Sequence, residues 1–310
     1  MKVLIVCSGT EGILSPFIKD QMDSLTKFGI EFSLFQINKK GFLGYLIHLF
    51  SLRKVIKKNN PDLIHAHYGL SGLLANLQLI VPVVTTFHGS DINDKHVFIY
   101  SKFANRLSAA SIFVEISMYN KIAKLNNAEV IPCGVDLATF YSISKPEAIS
   151  KMGLDKKDVN ILFSSSFNNF IKNYDLARES CKNLEKMLGK KVNLIELKNY
   201  NRDETNLLFN AVDCSLLTSF SEGSPQFIKE AMACGCPLVS TDVGDVKMVI
   251  GNTKGCYLTS FNTNEVAKEI KNALDFNQKT KGRNQIIELG LDTETIAKKI
   301  ISVFNKVLKK

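Results

Sequence analysis

Ser219-Phe220-Ser221-Glu222-Gly223-Ser224-Pro225-Gln226-Phe227-Ile228-Lys229-Glu230-Ala231-Met232-Ala233-Cys234-Gly235-Cys236-Pro237 reads as a loop, a helix and a stop. Ser224 has the chemistry of an N-cap, and Pro225 suits the first helical position, where a missing N–H costs nothing. Gly235 and Pro237 end the helix after about three turns. The flanking runs Asp213-Cys214-Ser215-Leu216-Leu217 and Pro237-Leu238-Val239-Ser240 suit short buried strands. The helix therefore belongs to a β-α-β unit and starts at the carboxyl edge of the strands, where open parallel sheets bind ligands. Amides and the positive dipole end at Ser224 to Phe227 could hold a phosphate, with Glu222 and Glu230 framing the same helix start. Two carboxylates beside a phosphate are costly unless they bind neutral donors such as sugar hydroxyls. Periodicity leaves a second reading open, in which Gln226, Lys229, Glu230 and Ala233 form a solvated stripe while Phe227, Ile228, Ala231 and Met232 face the core.

Outward from this stretch the same alternation recurs. Residues 3–6, 30–35, 62–65, 82–86 and 111–114 read as strands, and 15–28, 42–58, 70–79, 97–107 and 117–125 as helices. Ser15-Pro16 repeats the cap-plus-proline signal. A second series begins at Asn160-Ile161-Leu162-Phe163 and continues with strands near 192–197, 214–217 and 238–240. Asn201-Arg202-Asp203-Glu204 reads as a helix-starting box without a chemical role, and 292–308 as a basic amphipathic helix. Such alternation predicts parallel α/β sheets, and 310 residues with 45% hydrophobic content suit two domains. The polar segment from Tyr141 to Asp158 is the expected linker.

Composition excludes several classes. The seven cysteines are scattered without C-x-x-C spacing, which predicts reduced thiols and a cytoplasmic protein. No signal peptide and no apolar run long enough to cross a bilayer is read. A net charge of +9 suggests an anionic partner, but no nucleic-acid module accompanies it. The segment Gly41 to Lys58, apolar at its start and basic at its end, either covers a sheet or rests peripherally on an anionic membrane. Cys7-Ser8-Gly9-Thr10-Glu11-Gly12 lacks G-x-G-x-x-G, so a dinucleotide site has weak support; Gly12 is a turn glycine or admits a ligand. His65, His67, His88 and Asp91 sit at strand ends, yet no H-E-x-x-H is present and His65 and His67 are expected on opposite strand faces, so no metal is expected. Thr241-Asp242-Val243-Gly244-Asp245 likewise lacks metal-site spacing.

Glu222-Gly223-Ser224-Pro225, the seven residues between Glu222 and Glu230, and Glu230-Ala231-Met232-Ala233-Cys234-Gly235-Cys236-Pro237 resemble the E-x7-E segment of retaining glycosyltransferases of family 4. Val130-Ile131-Pro132-Cys133-Gly134-Val135-Asp136 is similar to the family's IPNGVD signature, with cysteine for asparagine. The resemblance runs over nearly the whole chain. It implies an α/β GT-B fold, two Rossmann-like parallel-sheet domains facing each other across a cleft, with 1–145 on the acceptor side, 146–290 binding the nucleotide sugar and 291–310 packing back towards the first domain. It implies a metal-independent transfer from a nucleotide-diphosphate sugar to a glycan or lipid-linked glycan, as in lipopolysaccharide or capsule synthesis, by front-face substitution without an assigned covalent nucleophile. His88 would contact the donor sugar, Glu222 position it, Glu230 bind the ribose, and Lys172 with the segment Gly223, Ser224, Pro225 and Gln226, through the N–H groups of its three non-proline residues, hold the diphosphate. His65 and His67 would be structural or acceptor-side residues. Ser166 stands where the family carries an arginine, with Asn168 close by to compensate, and Lys198 would lie near the base through backbone groups. Two alternatives stand beside transfer: a non-catalytic nucleotide-sugar-binding subunit, motivated by Ser166, and a nucleotide-sugar epimerase of the same build.

Overall fold

The computed structural model of the chain describes residues 1–9, 14–39, 41–122 and 127–309. Two α/β units form, Met1–Gly134 together with Thr293–Lys310, and Val135–Asp292.

In the first unit β1 (Lys2–Ser8), β2 (Glu31–Ile37), β3 (Leu63–His67), β4 (Val83–Phe87), β5 (Ala110–Phe113) and β6 (Ala128–Val130) lie in the order β2-β1-β3-β4-β5-β6. All neighbours pair in parallel. Every residue of β3 and β4 is buried, the polar His65, His67, Thr85 and Thr86 included, because a parallel sheet is covered on both faces. Leu4, Val6, Ile64 and Ala66 pack on one face against Leu52, Ile56 and Leu74. The helix Thr293–Leu308 belongs to this unit, with Ile296, Ile300 and Phe304 buried at helical spacing. Phe304 meets the His65 ring edge-on at 5.3 Å, and Ser24 Oγ donates to the Thr293 carbonyl at 2.9 Å.

The second unit holds β7 (Val159–Phe163), β8 (Val192–Glu196), β9 (Cys214–Leu217), β10 (Leu238–Thr241) and β11 (Cys256–Thr259) in the order β11-β10-β9-β7-β8. These too are parallel. Ile161, Phe163, Leu216 and Val239 form its core with Leu184 and Ile270. Strand order reverses between β1 and β3 in one sheet and between β7 and β9 in the other. Loops at the carboxyl ends of the strands flanking such a reversal diverge and leave a crevice.

Three local expectations change. The helix expected over 42–58 is two, Gly41–Leu46 and Leu49–Asn59. At the break the His48 ring bonds the Gly44 carbonyl at 2.8 Å, a side-chain bond that competes with the helical ladder. The expected linker carries the helix Lys145–Met152, ended by Gly153 in the left-handed conformation. The short edge strands β6 and β11 gave no sequence signal of their own. Both are only partly buried, unlike the four-residue strands β5, β9 and β10, whose every residue is buried.

Candidate functional site

The loops after β7 and β9 flank the reversal in the second sheet, and each brings one charged side chain to it. Phe170–Lys172 is a single 3-10 turn capped by Asn173 in the left-handed region. The Thr218 hydroxyl donates to the carbonyls of Lys172 and Asn173 at 2.9 and 3.0 Å, tying the two loops together. The Phe220 amide adds a third tie to the Ile171 carbonyl at 2.9 Å. Lys172 Nζ then lies 2.6 Å from Glu222 Oε1, which also accepts from Ser219 Oγ at 2.6 Å. Both charged side chains keep 15–18% of their surface exposed, so the pair is reachable from solvent.

The helix begins one residue later than expected, at Gln226, with Pro225 as its cap residue and no side-chain cap. Ser224 is employed otherwise: its hydroxyl donates to Asp245 Oδ2 at 2.5 Å and accepts from Lys229 Nζ. The solvated-stripe reading fails outright. Lys229, Glu230 and Ala233 are 0%, 5% and 1% exposed, because neighbouring helices cover the face periodicity assigned to water. The helix Gly282–Glu288 comes so close that a Cβ on Gly282 would sit 2.8 Å from Met232 Cα. Glu230 accepts from Arg202 Nη1 at 2.6 Å, and the Arg202 guanidinium lies 4.5 Å from the Phe140 ring centroid. Burial raises the Glu230 pKa while Arg202 and Lys229 pull it back. The capping box at Asn201 and Glu204 forms as expected, but the same segment also supplies Arg202, which its spacing did not announce.

Ser166 is engaged within its own unit. Its hydroxyl donates to Glu196 Oε1 at 2.9 Å, and the Phe167 amide donates to the same oxygen at 2.7 Å. Those bonds, the amide's first, hold the Glu196 carboxyl below its ordinary range. Asn168 and Lys198 are exposed. The Asn168 amide reaches Ser166 Oγ at 3.4 Å, and the Lys198 amide bonds the Glu196 carbonyl at 3.1 Å. Gly12 lies outside the described residues.

In the first unit the histidines gather at the carboxyl ends of β3 and β4. His65 and His67 stand on one face rather than opposite faces, since side chains two apart along a strand point the same way. Their ring centroids are 4.4 Å apart, and His67 Nδ1 bonds His88 Nε2 at 3.0 Å. His65 Nε2 bonds Thr86 Oγ1 at 2.7 Å. Phe17 and Tyr68 each lie 4.8 Å from the His88 ring. Burial depresses all three imidazoles, His65 to about 3, so the stack is neutral at pH 7. Asp91 accepts from the amides of Gly69, His88 and Gly89 at 2.9–3.0 Å, while burial lifts its pKa to about 6. Its carboxylate thus fixes the turns after β3 and β4. Among the described residues no group of three or more His, Cys, Asp or Glu side chains is arranged to hold a metal. No helix there is long and apolar enough to cross a membrane. Two cavities in the second unit, of about 480 and 630 Å³, include none of the expected site residues.

Known proteins share this architecture. Residues 2–139 match the model described as Glycosyltransferase Family 4, and 161–275 match that of Glycosyl transferases group 1. The putative teichuronic acid biosynthesis glycosyltransferase TuaC of Bacillus subtilis is 26% identical over 219 residues. That match takes in 62% of this chain but only 56% of the length of TuaC. The D-inositol 3-phosphate glycosyltransferase of Pseudarthrobacter chlorophenolicus is 24% identical over 78% of this chain and 77% of its own. Among solved structures, Anabaena Alr3699/HepE in complex with UDP superposes with a TM-score of 0.75 at 17% identity, covering 99% of this chain and 100% of that one. With residues 2–139 and 161–275 each matched by a glycosyltransferase model and the fold shared from end to end, the chain belongs to the group 1 glycosyltransferases of family 4, with their GT-B fold.

Proposed function

We propose that the protein transfers a sugar, with retention of anomeric configuration, from a nucleoside-diphosphate donor to a hydroxyl of a glycan or lipid-linked glycan. The observation that carries this reading is the Lys172–Glu222 pair at the strand-order reversal, beside the start of a helix that also holds Glu230. Three cations there, Lys172, Arg202 and Lys229, each face one carboxylate, Glu222, Glu230 and Asp245. The diphosphate therefore meets three cations that already have carboxylate partners. It gains its contacts from the helix-start amides of Gly223, Ser224 and Gln226 and from Lys172, which exchanges Glu222 for phosphate oxygens. Glu222, released from Lys172, turns to accept from sugar hydroxyls. Glu230, fixed by Arg202, accepts from the ribose, and Asn168 and Lys198 border the nucleotide. Ser166 cannot supply the charge of an arginine, so the amides and Lys172 carry the leaving group.

In the reaction the bond from the anomeric carbon to the diphosphate breaks as the acceptor oxygen bonds to the same face, and the acceptor proton leaves with the diphosphate. Preorganised amides and one ammonium stabilise the charge that develops on the departing oxygen. In the first unit His88 is the sugar-facing group and Gly12 admits the donor; no metal takes part. HepE was solved with UDP, which favours a uridine donor here, and the name of TuaC favours a cell-surface glycan as acceptor. Exposed Leu43, Ile47 and Phe50, 75%, 63% and 74% accessible, support peripheral contact with an anionic membrane, alongside Lys54, Lys57 and Lys58. Absence of binding to anionic vesicles in flotation would remove that contact.

Thermal-shift measurements with UDP-, GDP-, ADP- and CDP-sugars test the donor, since a ligand bound only by the folded state raises stability by mass action. A rise with one base and none with the others is expected. No rise with any of them sinks the reading, and binding without diphosphate release over a broad acceptor panel would favour the non-catalytic subunit.

A further inference from the structure

Lys229 has no exposed surface at all, yet it sits in the helix that follows the expected diphosphate loop. Its ammonium donates to Asp245 Oδ2 at 2.9 Å and to Ser224 Oγ. Ser224 Oγ donates to the same carboxylate oxygen at 2.5 Å. From the other side the Asp245 amide donates to the Gly223 carbonyl at 3.1 Å. Asp245 thus grips both residues that follow Glu222, one through its backbone and one through its side chain.

Gly244 makes this grip possible. A Cβ there would stand 2.2 Å from the Gly223 oxygen, and the residue has φ +58°. The carbonyl and amide of one trans peptide point in opposite directions. Fixing the Gly223 carbonyl on the β10 loop therefore turns the Ser224 N–H away from that loop.

Stability alone does not account for an ammonium at this place, because well-packed apolar residues usually replace a buried ion pair without loss. An apolar side chain could fill the volume of Lys229. It could not hold Asp245 as an anion in reach of the Ser224 hydroxyl, nor neutralise that anion beside a site for a diphosphate.

We propose that Lys229 is a positioning residue for the donor diphosphate: acting through Asp245 and Ser224, it fixes the Gly223–Ser224 peptide so that its amide faces the phosphates. The proposal rests on the donor reading above. Lys229 itself touches no substrate, since its side chain is enclosed. Its effect falls on the second phosphate, and nucleoside and first-phosphate contacts made elsewhere are spared.

The test compares binding of UDP and UMP by calorimetry, with GDP/GMP and ADP/AMP as parallel probes. In the double variant K229M/D245L, which removes both charges together, the preference of the wild type for diphosphate over monophosphate should fall about tenfold, with monophosphate affinity held within about threefold. Gly244→Ala tests the same peptide with the ion pair intact, and so covers the case in which the double variant does not fold. It should lower the same preference several-fold. A folded double variant, or a folded Gly244→Ala protein, that keeps the wild-type preference overturns the proposal while leaving the donor reading in place. Wild-type protein that binds none of the three diphosphates overturns both.

Discussion

At the carboxyl edge of the first sheet three neutral rings cluster beside one amide-held carboxylate, Asp91, whereas at the same edge of the second sheet carboxylates are paired with cations. His67 stacks on His88 and bonds to it, while His65 packs tilted against His67 and bonds Thr86, all three as neutral imidazoles. Lys229 with Asp245 and Arg202 with Glu230 instead set a cation against a carboxylate at 2.9 and 2.6 Å. Desolvation acts on both clusters, and its outcome depends on partners. An imidazole without a carboxylate beside it sheds its proton, while a lysine or glutamate with a matched partner at hydrogen-bond distance can retain its charge. A neutral aromatic wall suits a sugar, and an ionic framework suits the orientation of amides toward phosphate.

The sharpest break in this comparison is to remove one charge from the ionic cluster alone. Lys229→Met leaves Asp245 buried beside Ser224 without its cation, and a single uncompensated buried charge typically costs about 3–5 kcal/mol. Denaturant unfolding should show a loss of that order, with K229M/D245L recovering most of it. A single variant as stable as the wild type would mean that Asp245 is protonated or solvated in the folded protein.

Acid should attack the other cluster. His65 is depressed to about 3 and His67 well below its ordinary value, so between pH 6.5 and about 3 the unfolded chain binds protons that the folded chain refuses. Stability therefore falls as pH falls through this window, by up to about 1.4 kcal/mol per pH unit for each buried imidazole. Asp91 acts in the opposite sense. Raised to about 6 when folded, it makes the folded state the better proton binder between roughly pH 4 and 6, and so offsets about one histidine there. Melting temperature followed from pH 7 to 4 should decline, and the decline should flatten in His65→Phe, whose ring keeps the contact with Phe304. An unchanged slope would show that the stack is not the acid-sensitive element.

Lys172→Ala tests whether the exposed ion pair differs from the buried ones. Its partner Glu222 keeps the Ser219 hydroxyl, so folding should survive, while turnover should fall roughly ten- to a hundredfold for want of an ammonium at the leaving group. Turnover equal to wild type would remove Lys172 from the reaction.

These contrasts also mark where the sequence could be read and where it could not. The loop-helix-stop of 219–237 and the alternation around it carried the fold, because turn chemistry and helix caps are local properties. Lys229 could not be read, since its partner lies sixteen residues on, beyond β10, and the packing of neighbouring helices turns a nominally solvated stripe into an interior one. Arg202 escaped for the same reason: its local role in a capped first turn is complete without Glu230. The His65/His67 stack was legible from the two-residue period of a strand, and was missed by assigning neighbouring odd positions to opposite faces.

The smallest effect belongs to Glu196, which occupies the position between the two regimes. It is a carboxylate at the end of β8, where Glu222 lies in the loop beyond β9, and its partners are a hydroxyl and an amide, Ser166 and Phe167, rather than a cation. If Ser166 merely fills the place of an arginine, releasing it should change little. If the Ser166–Glu196 bond shapes the loop that carries Lys172, its loss should loosen the nucleotide slightly. Glu196→Gln keeps the shape and an acceptor oxygen but removes the charge that strengthens both bonds. Because the group is solvated, nucleoside-diphosphate affinity should shift by no more than about threefold. A larger loss would mean that Glu196 organises the loop as firmly as Lys229 organises its neighbour, and the division between neutral and ionic clusters would then extend to a third, mixed kind of support.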